Sequence, residues 1–292
     1  MNDDMRVVFE SRNRRACSDR ALVLASLQIP HEIVADATSC ALIVPAEYSA
    51  RAMDQLMRYD EENPPQRPPA PKPVVYQNAL PGILVYAIVV CMIAGLAARS
   101  VFAVDWVAAG RVDGVLIRAG EWWRAITALT LHSGLRHLVG NLVFGAFFGL
   151  FAGRLLGPGV AWLAILVAGA TGNLLNTLLL EASHRSVGAS TAVFAALGLV
   201  AGFVWRGKLM AQDRWAFRIG PIVGGFALLM YTGTGGPNTD VGAHLLGFLS
   251  GLAAGVLLTR VRAGLVRQQW QQRAGTLAIV LVTFAWILAF LA

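Results

Sequence analysis

Four side chains in this sequence, Ser190, His244, His137 and Asn141, stand near the starts of long apolar runs, where hydroxyl, imidazole and amide groups are costly to place. A serine hydroxyl becomes nucleophilic when a base within hydrogen-bond reach takes its proton, and imidazole is the base whose ordinary pKa suits neutral pH. Ser190 and His244 are the candidates for that pair. His137 and Asn141 are four residues apart and share a helix face that Phe144 and Phe148 continue. Such a pair can donate hydrogen bonds to a developing oxyanion, with the backbone amide of Ser190 as a further donor. Each feature alone has a plainer explanation: a lone serine bonds the carbonyl one turn back, and a His–Asn pair clamps two helices. Their common placement, near the starts of three separate apolar runs, is what a shared site requires.

The elements that must position these groups are membrane spans. With 292 residues, 56% hydrophobic and 14% charged, and a mean hydropathy of +0.58, the chain is too apolar for an ordinary soluble domain and reads as an all-α polytopic membrane protein. The net charge of +7 and pI near 9.9 would suit nucleic acid if the basic residues formed one patch. They lie instead in the connections between apolar runs and in the N-terminal segment, a pattern that orients a membrane protein, so no nucleic-acid partner is expected. Cys17, Cys40 and Cys91 have no framework or metal-ligand spacing, which leaves no disulfide, metal or cofactor to predict. The N-terminus, MNDDMRVVFESRNRR, lacks the apolar run of a secretory signal peptide.

In chain order, residues 1–60 read as a small soluble α+β domain with the succession β-α-β-β-α of a ferredoxin-like appendage, whose partner the sequence does not name. Residues 61–79 form a linker, with six prolines between Glu61 and Pro73 that favour an extended, semi-rigid chain. Residues 80–292 hold seven expected transmembrane helices: Gly82–Ala98, Leu135–Leu156, Gly159–Leu180, Ser186–Trp205, Ile219–Tyr231, Val241–Thr259 and Thr276–Ala292. The tryptophan-rich stretch from Arg99 to about Gly134 is expected to lie in the membrane interface. The basic connections after the second, fourth and sixth spans put the N-terminus in the cytoplasm and the C-terminus outside. In that topology His137, Ser190 and His244 all lie near the outer ends of their spans.

The sixth span carries a stripe of glycines, Gly247, Gly251 and Gly255, that permits close approach of another helix. On the fourth span Phe194 stands one turn below Ser190, where its ring can pack on a histidine. Taken together, Trp123-Arg124, His132, His137-Leu-Val-Gly-Asn141, Gly188-Ala-Ser190 and Ala243-His244-Leu-Leu-Gly247 resemble the rhomboid intramembrane serine proteases over about residues 80–260. The resemblance implies a six-helix bundle, here with one extra C-terminal helix. It implies Ser190 as nucleophile, His244 as general base, and His137, Asn141 and the Ser190 amide as oxyanion donors. Gly188, Phe194 and Gly247 would be supporting residues, and Trp123 and Arg124 would belong to the outer loop. Substrates would be membrane proteins cut in or beside a transmembrane segment, in a multi-pass protein of a bacterial inner (cell) membrane, without a cofactor.

The chain departs from the family's pattern twice. Thr191 replaces the usual glycine after the nucleophile, where a β-branched side chain crowds the approach to the sixth span, and Phe194 replaces a common tyrosine. Asp240 is expected to cap the sixth span and not to complete a triad. Two other functions compete. A catalytically silent relative that holds membrane clients would ordinarily lack the serine or the histidine. A transporter would place polar residues toward the midplane, where Asn173 and Asn176 are the candidates.

Overall fold

The structure, a computed structural model, describes residues 4–36, 38–64, 76, 78–179, 183–207, 215–233, 239–265 and 267–292. The chain divides into two compact units, Met1–Pro71 and Lys72–Ala292.

In the first unit, strands β1 (Met5–Ser11), β2 (Glu32–Ala35) and β3 (Cys40–Pro45) form a sheet of order β1-β3-β2, with β3 antiparallel to both neighbours. Helices α1 (Arg14–Ser26) and α2 (Ser49–Glu62) cover it, because Leu24, Ile29, Leu42, Val44, Ala52 and Leu56 supply one continuous apolar cluster. Arg20 of α1 pairs with Asp60 of α2 and lies 4.1 Å over the ring of Phe9. Glu61 and Glu62, expected to begin the linker, complete α2. The proline-rich residues 65–75 lie outside the described residues.

The second unit is helical. Its long helices are α3 (Leu80–Ala98), α7 (Leu135–Leu156), α8 (Pro158–Leu179), α9 (Ser190–Arg206), α10 (Trp215–Gly233), α11 (Val241–Leu265) and α12 (Gln268–Leu291). The stretch after α3 folds into three short helices, α4 (Trp106–Gly110), α5 (Gly114–Arg118) and α6 (Arg124–Thr127). Between α4 and α5, strand β4 (Val112–Asp113) pairs with β5 (Arg185–Ser186). Arg124 is buried and organises this stretch: its Nε donates to Glu121 at 2.6 Å and its Nη1 to the Ala108 carbonyl at 2.9 Å. Trp123 packs beside it on the apolar core.

Among the described residues, five helices are long and apolar enough to cross a bilayer: α3, α7, α8, α11 and α12. The expected fourth and fifth spans are shorter in that respect, Ser190–Arg206 and Ile222–Tyr231. The fourth was expected to run from Ser186 with Ser190 one turn inside; instead Ser186 is in a strand and Ser190 is the first helical residue. The cause is Gly188, whose φ of +141° breaks the helix, and whose N–H donates to the Ala128 carbonyl at 3.0 Å. At 17 residues α9 is only about 25 Å long, and its interior is buried among α7, α8, α10 and α11.

The seventh helix also differs from expectation, starting at Gln268 and not at Thr276. Gln271 explains the extension. Its side chain is buried, its Oε1 accepts from the Gly159 and Val160 amides at 3.0 and 3.1 Å, and its Nε2 donates to the Leu156 and Leu265 carbonyls at 3.0 and 2.7 Å. One amide side chain therefore satisfies the start of α8 and the ends of α7 and α11. Higher up, Trp286 packs on Trp106 and donates to Thr130 Oγ1 at 3.1 Å, which makes α12 an integral wall of the bundle.

Candidate active site

Helices α9 and α11 set the geometry. A Cβ added at Gly247 would run into Thr191, one at Gly251 into Ala195, and one at Gly255 into Leu199. Four residues forward on one helix match four forward on the other, so the two run parallel in a fixed register. Gly198 and Gly202 of α9 answer from their side, lying against Phe248 and Leu252 of α11. Extending the register back by one turn brings His244 level with Gly188, at the head of α9. His244 is 7% exposed, and its ring meets that of Phe194 with centroids 4.5 Å apart and planes tilted by 42°. Ser190, partly buried, occupies the first position of α9, one turn above Phe194.

Gly188 closes the site from the other side. A Cβ there would stand 2.6 Å from His137 Cε1, 2.8 Å from His137 Nε2 and 3.3 Å from Ser190 Oγ. His137 and Ser190 therefore flank one small gap that any side chain would fill. Ser133 Oγ lies 3.0 Å from His137 Nδ1. A serine donating to Nδ1 leaves the ring proton on Nε2, which then faces the gap as a donor, whereas the reverse bond leaves Nε2 an acceptor. Asn141, one turn further along α7, is 6% exposed; its backbone carbonyl accepts from Tyr86 at 2.8 Å while its side-chain Nδ2 is buried with no hydrogen-bond partner. An unpaired buried amide donor is costly, and such a group is available to an acceptor that enters the site. The opening amides of α9, which have no partner within the helix, add the positive end of the helix dipole at Ser190.

Thr191 does not crowd α11 as its type suggested. It is buried, and its Cγ2 lies 2.9 Å from the Cβ position of Gly247 and 3.0 Å from that of Gly172, so two glycines make the space its methyl fills. Asp240 caps α11, accepting from the Ala243 amide at 3.0 Å. Its carboxylate also accepts from Asn176 Nδ2 at 3.1 and 3.0 Å and lies 2.7 Å from His184 Nε2. Asn173 Nδ2 donates to the Ala125 carbonyl at 3.0 Å. Both asparagines weighed for a transporter site are thus engaged in bonds between elements of the bundle. His132 stacks edge-on to His137, with centroids 5.3 Å apart. Burial, then the neighbouring His137 ring, pushes the His132 pKa down to about 4. Ser133, Tyr86 and His184 were not singled out from sequence, because each acts through a partner that only the folded chain supplies. Among the described residues no cluster of His, Cys, Asp or Glu could hold a metal ion.

The family model of the Rhomboid domain matches residues 119–261. Among curated proteins, the chain is 24% identical over 268 residues to "Rhomboid protease GluP" of Bacillus subtilis (strain 168), which covers 90% of this chain and 47% of that protein. It is 29% identical over 177 residues to "Rhomboid-like protease 2" of Toxoplasma gondii, 60% of each chain. It is 32% identical over 133 residues to "Putative rhomboid protease YdcA" of Bacillus subtilis (strain 168), 45% of this chain and 65% of that one. The chain spans less than two thirds of the length of each of these relatives.

Proposed function

We propose that this chain, which belongs to the rhomboid family, is an intramembrane serine endopeptidase that cleaves membrane proteins in or beside a transmembrane segment with a Ser190–His244 dyad. The observation that carries the reading is the parallel register of α9 on α11, which supports a meeting of the two side chains at the head of the pair.

In this mechanism Ser190 Oγ attacks the scissile carbonyl while His244 takes its proton. The tetrahedral oxyanion accepts from Asn141 Nδ2, His137 Nε2 and the Ser190 amide as its charge develops. His244 then returns the proton to the leaving amine, and the acyl group on Ser190 is hydrolysed by water that His244 activates in turn. Phe194 packs against the imidazole ring and limits its rotation, and Gly188 leaves the gap into which the carbonyl oxygen enters. The seven long helices, α9 and α10 included, are read as spans. The basic connections support an N-terminus in the cytoplasm and a C-terminus outside, in the cell membrane of a bacterium, with the site opening near the outer face.

The decisive test is cleavage of a transmembrane substrate by the full chain and by its Ser190→Ala and His244→Ala variants. Loss of proteolysis in both variants, with loss of labelling by a serine-reactive phosphonate in Ser190→Ala, is the expected result. Undiminished proteolysis by either variant refutes the dyad, and a native chain that neither cleaves nor labels is the silent, client-binding relative.

A further inference from the structure

The segment that delivers Ser190 and the helix that carries His244 are tied together by a side chain that the catalytic scheme does not use. His184 Nε2 lies 2.7 Å from Asp240 Oδ2, across 56 residues of sequence. Asp240 is the residue immediately before α11, it caps that helix through the Ala243 amide, and its backbone carbonyl accepts from the His244 amide at 3.1 Å. His184 stands six residues before Ser190. It is anchored behind by its own carbonyl, which accepts from the Gly114 amide at 3.0 Å, and by the β4–β5 pairing that follows it. Asn176 of α8, 2% exposed, donates to both Asp240 oxygens and so fixes the carboxylate from below. The side chains of His184 and Asp240 are 23% and 15% exposed, sheltered enough for the contact to keep its strength. Asp240 itself is held below the usual carboxylate range: burial raises it, and the Ala243 amide and the His184 contact more than offset that.

We propose that His184 is a positioning residue, which through Asp240 clamps the lead-in to Ser190 onto the start of α11 and so fixes the spacing of the nucleophile from the base. His184 reaches neither substrate nor the reacting atoms. Its contribution is geometric: the glycine contacts fix the register of the two helices from Thr191 and Gly247 onward, and the His184–Asp240 contact ties the segments that precede both heads. A misplacement of about 1 Å at a catalytic pair costs about 100-fold in rate.

This inference rests on the proteolytic reading above, and the experiment separates the two. The full chain, His184→Ala, Asp240→Asn and the double variant are compared for kcat and KM on one transmembrane substrate, and for thermal unfolding in detergent. Asparagine retains the N-cap through its remaining oxygen, but Asp240→Asn alters the contacts with both His184 and Asn176, whereas His184→Ala leaves the Asn176–Asp240 bonds in place. The clamp predicts that His184→Ala lowers kcat by about 10- to 100-fold with KM within twofold, that Asp240→Asn does the same, and that the double variant is no worse than the poorer single. It further predicts that His184→Gln, which keeps an amide donor, recovers part of kcat. A kcat for His184→Ala within twofold of the native chain overturns the clamp, as do losses that multiply in the double variant. If the native chain does not cleave at all, the proteolytic reading falls, and the thermal series still decides the clamp. Non-additive losses of stability in the double variant uphold it, and additive losses overturn it.

Discussion

The rings of Phe194 and His244 meet with centroids 4.5 Å apart, and each comes from a different helix. An imidazole that must point at a serine needs its two torsions fixed, and a buried aromatic face fixes them by packing alone. Phe194→Tyr should retain most activity, since the ring is kept. Phe194→Ala should lower stability by about 3–5 kcal/mol and lower kcat more than it changes KM. Melting in detergent and steady-state kinetics on one substrate check both.

Asn141 offers a buried amide with nothing to bind. Its truncation to alanine should reduce kcat by about 100- to 1000-fold, the usual effect of removing one oxyanion donor. KM and melting temperature should scarcely move, because Nδ2 makes no bond in the resting protein. A large loss of stability in Asn141→Ala would show instead that the side chain is structural.

Gly247 has no room for a methyl group: a Cβ would press on the carbonyl of Thr191 and stand 2.9 Å from its Cγ2. Gly247→Ala should destabilise the protein by about 1–3 kcal/mol through overpacking and wedge His244 away from the head of α9. Adding Thr191→Ser should not restore it, since the obstructing carbonyl remains. Thermal unfolding of the single and double variants tests this.

Gln271→Leu keeps the volume and removes every polar contact of the side chain. Two amides and two carbonyls at three helix ends lose their partner, at about 1–3 kcal/mol for each group left buried and unpaired. The melting temperature should fall steeply. Gln271→Glu should also fail, because a carboxylate cannot donate to the Leu156 and Leu265 carbonyls.

His132 has its pKa pushed down to about 4. Between about pH 6.5, the value of an unperturbed histidine, and that folded value, the unfolded chain takes up a proton that the folded chain refuses. Stability should therefore be full above that window and decline as the pH falls through it. His132→Gln should flatten this limb of a melting temperature against pH profile, measured in the full-length protein.

Much of the fold was legible because hydropathy is a local property. The apolar runs of α3, α7, α8 and α11 stand out in the sequence, and the expected end of the second span at Leu156 is the observed end of α7. Two of the misjudged ends, the starts of α9 and α12, fail for a common reason. The start of α9 was set by Gly188 and by pairing of Ser186 with Val112, and the start of α12 by Gln271 reaching α8, each a partner distant in sequence. Residue types alone pointed to Ser190, His244, His137 and Asn141, since polar groups near the ends of apolar helices are expensive to keep. Ser133 next to His137, Tyr86 on the Asn141 carbonyl and His184 against Asp240 carried no such signal, because each acts through a partner that is distant in sequence or visible only in the folded chain.

By itself the sequence determined that the chain enters a membrane and which few polar side chains travel with it, because apolar length and the cost of buried polarity are written residue by residue. The tertiary structure alone decided which helix faces meet and in what register. That depends on the interlock of Gly198 and Gly202 with Phe248 and Leu252, and of Gly247, Gly251 and Gly255 with Thr191, Ala195 and Leu199. A helix register is a property of two surfaces in contact, and neither helix specifies it without the other.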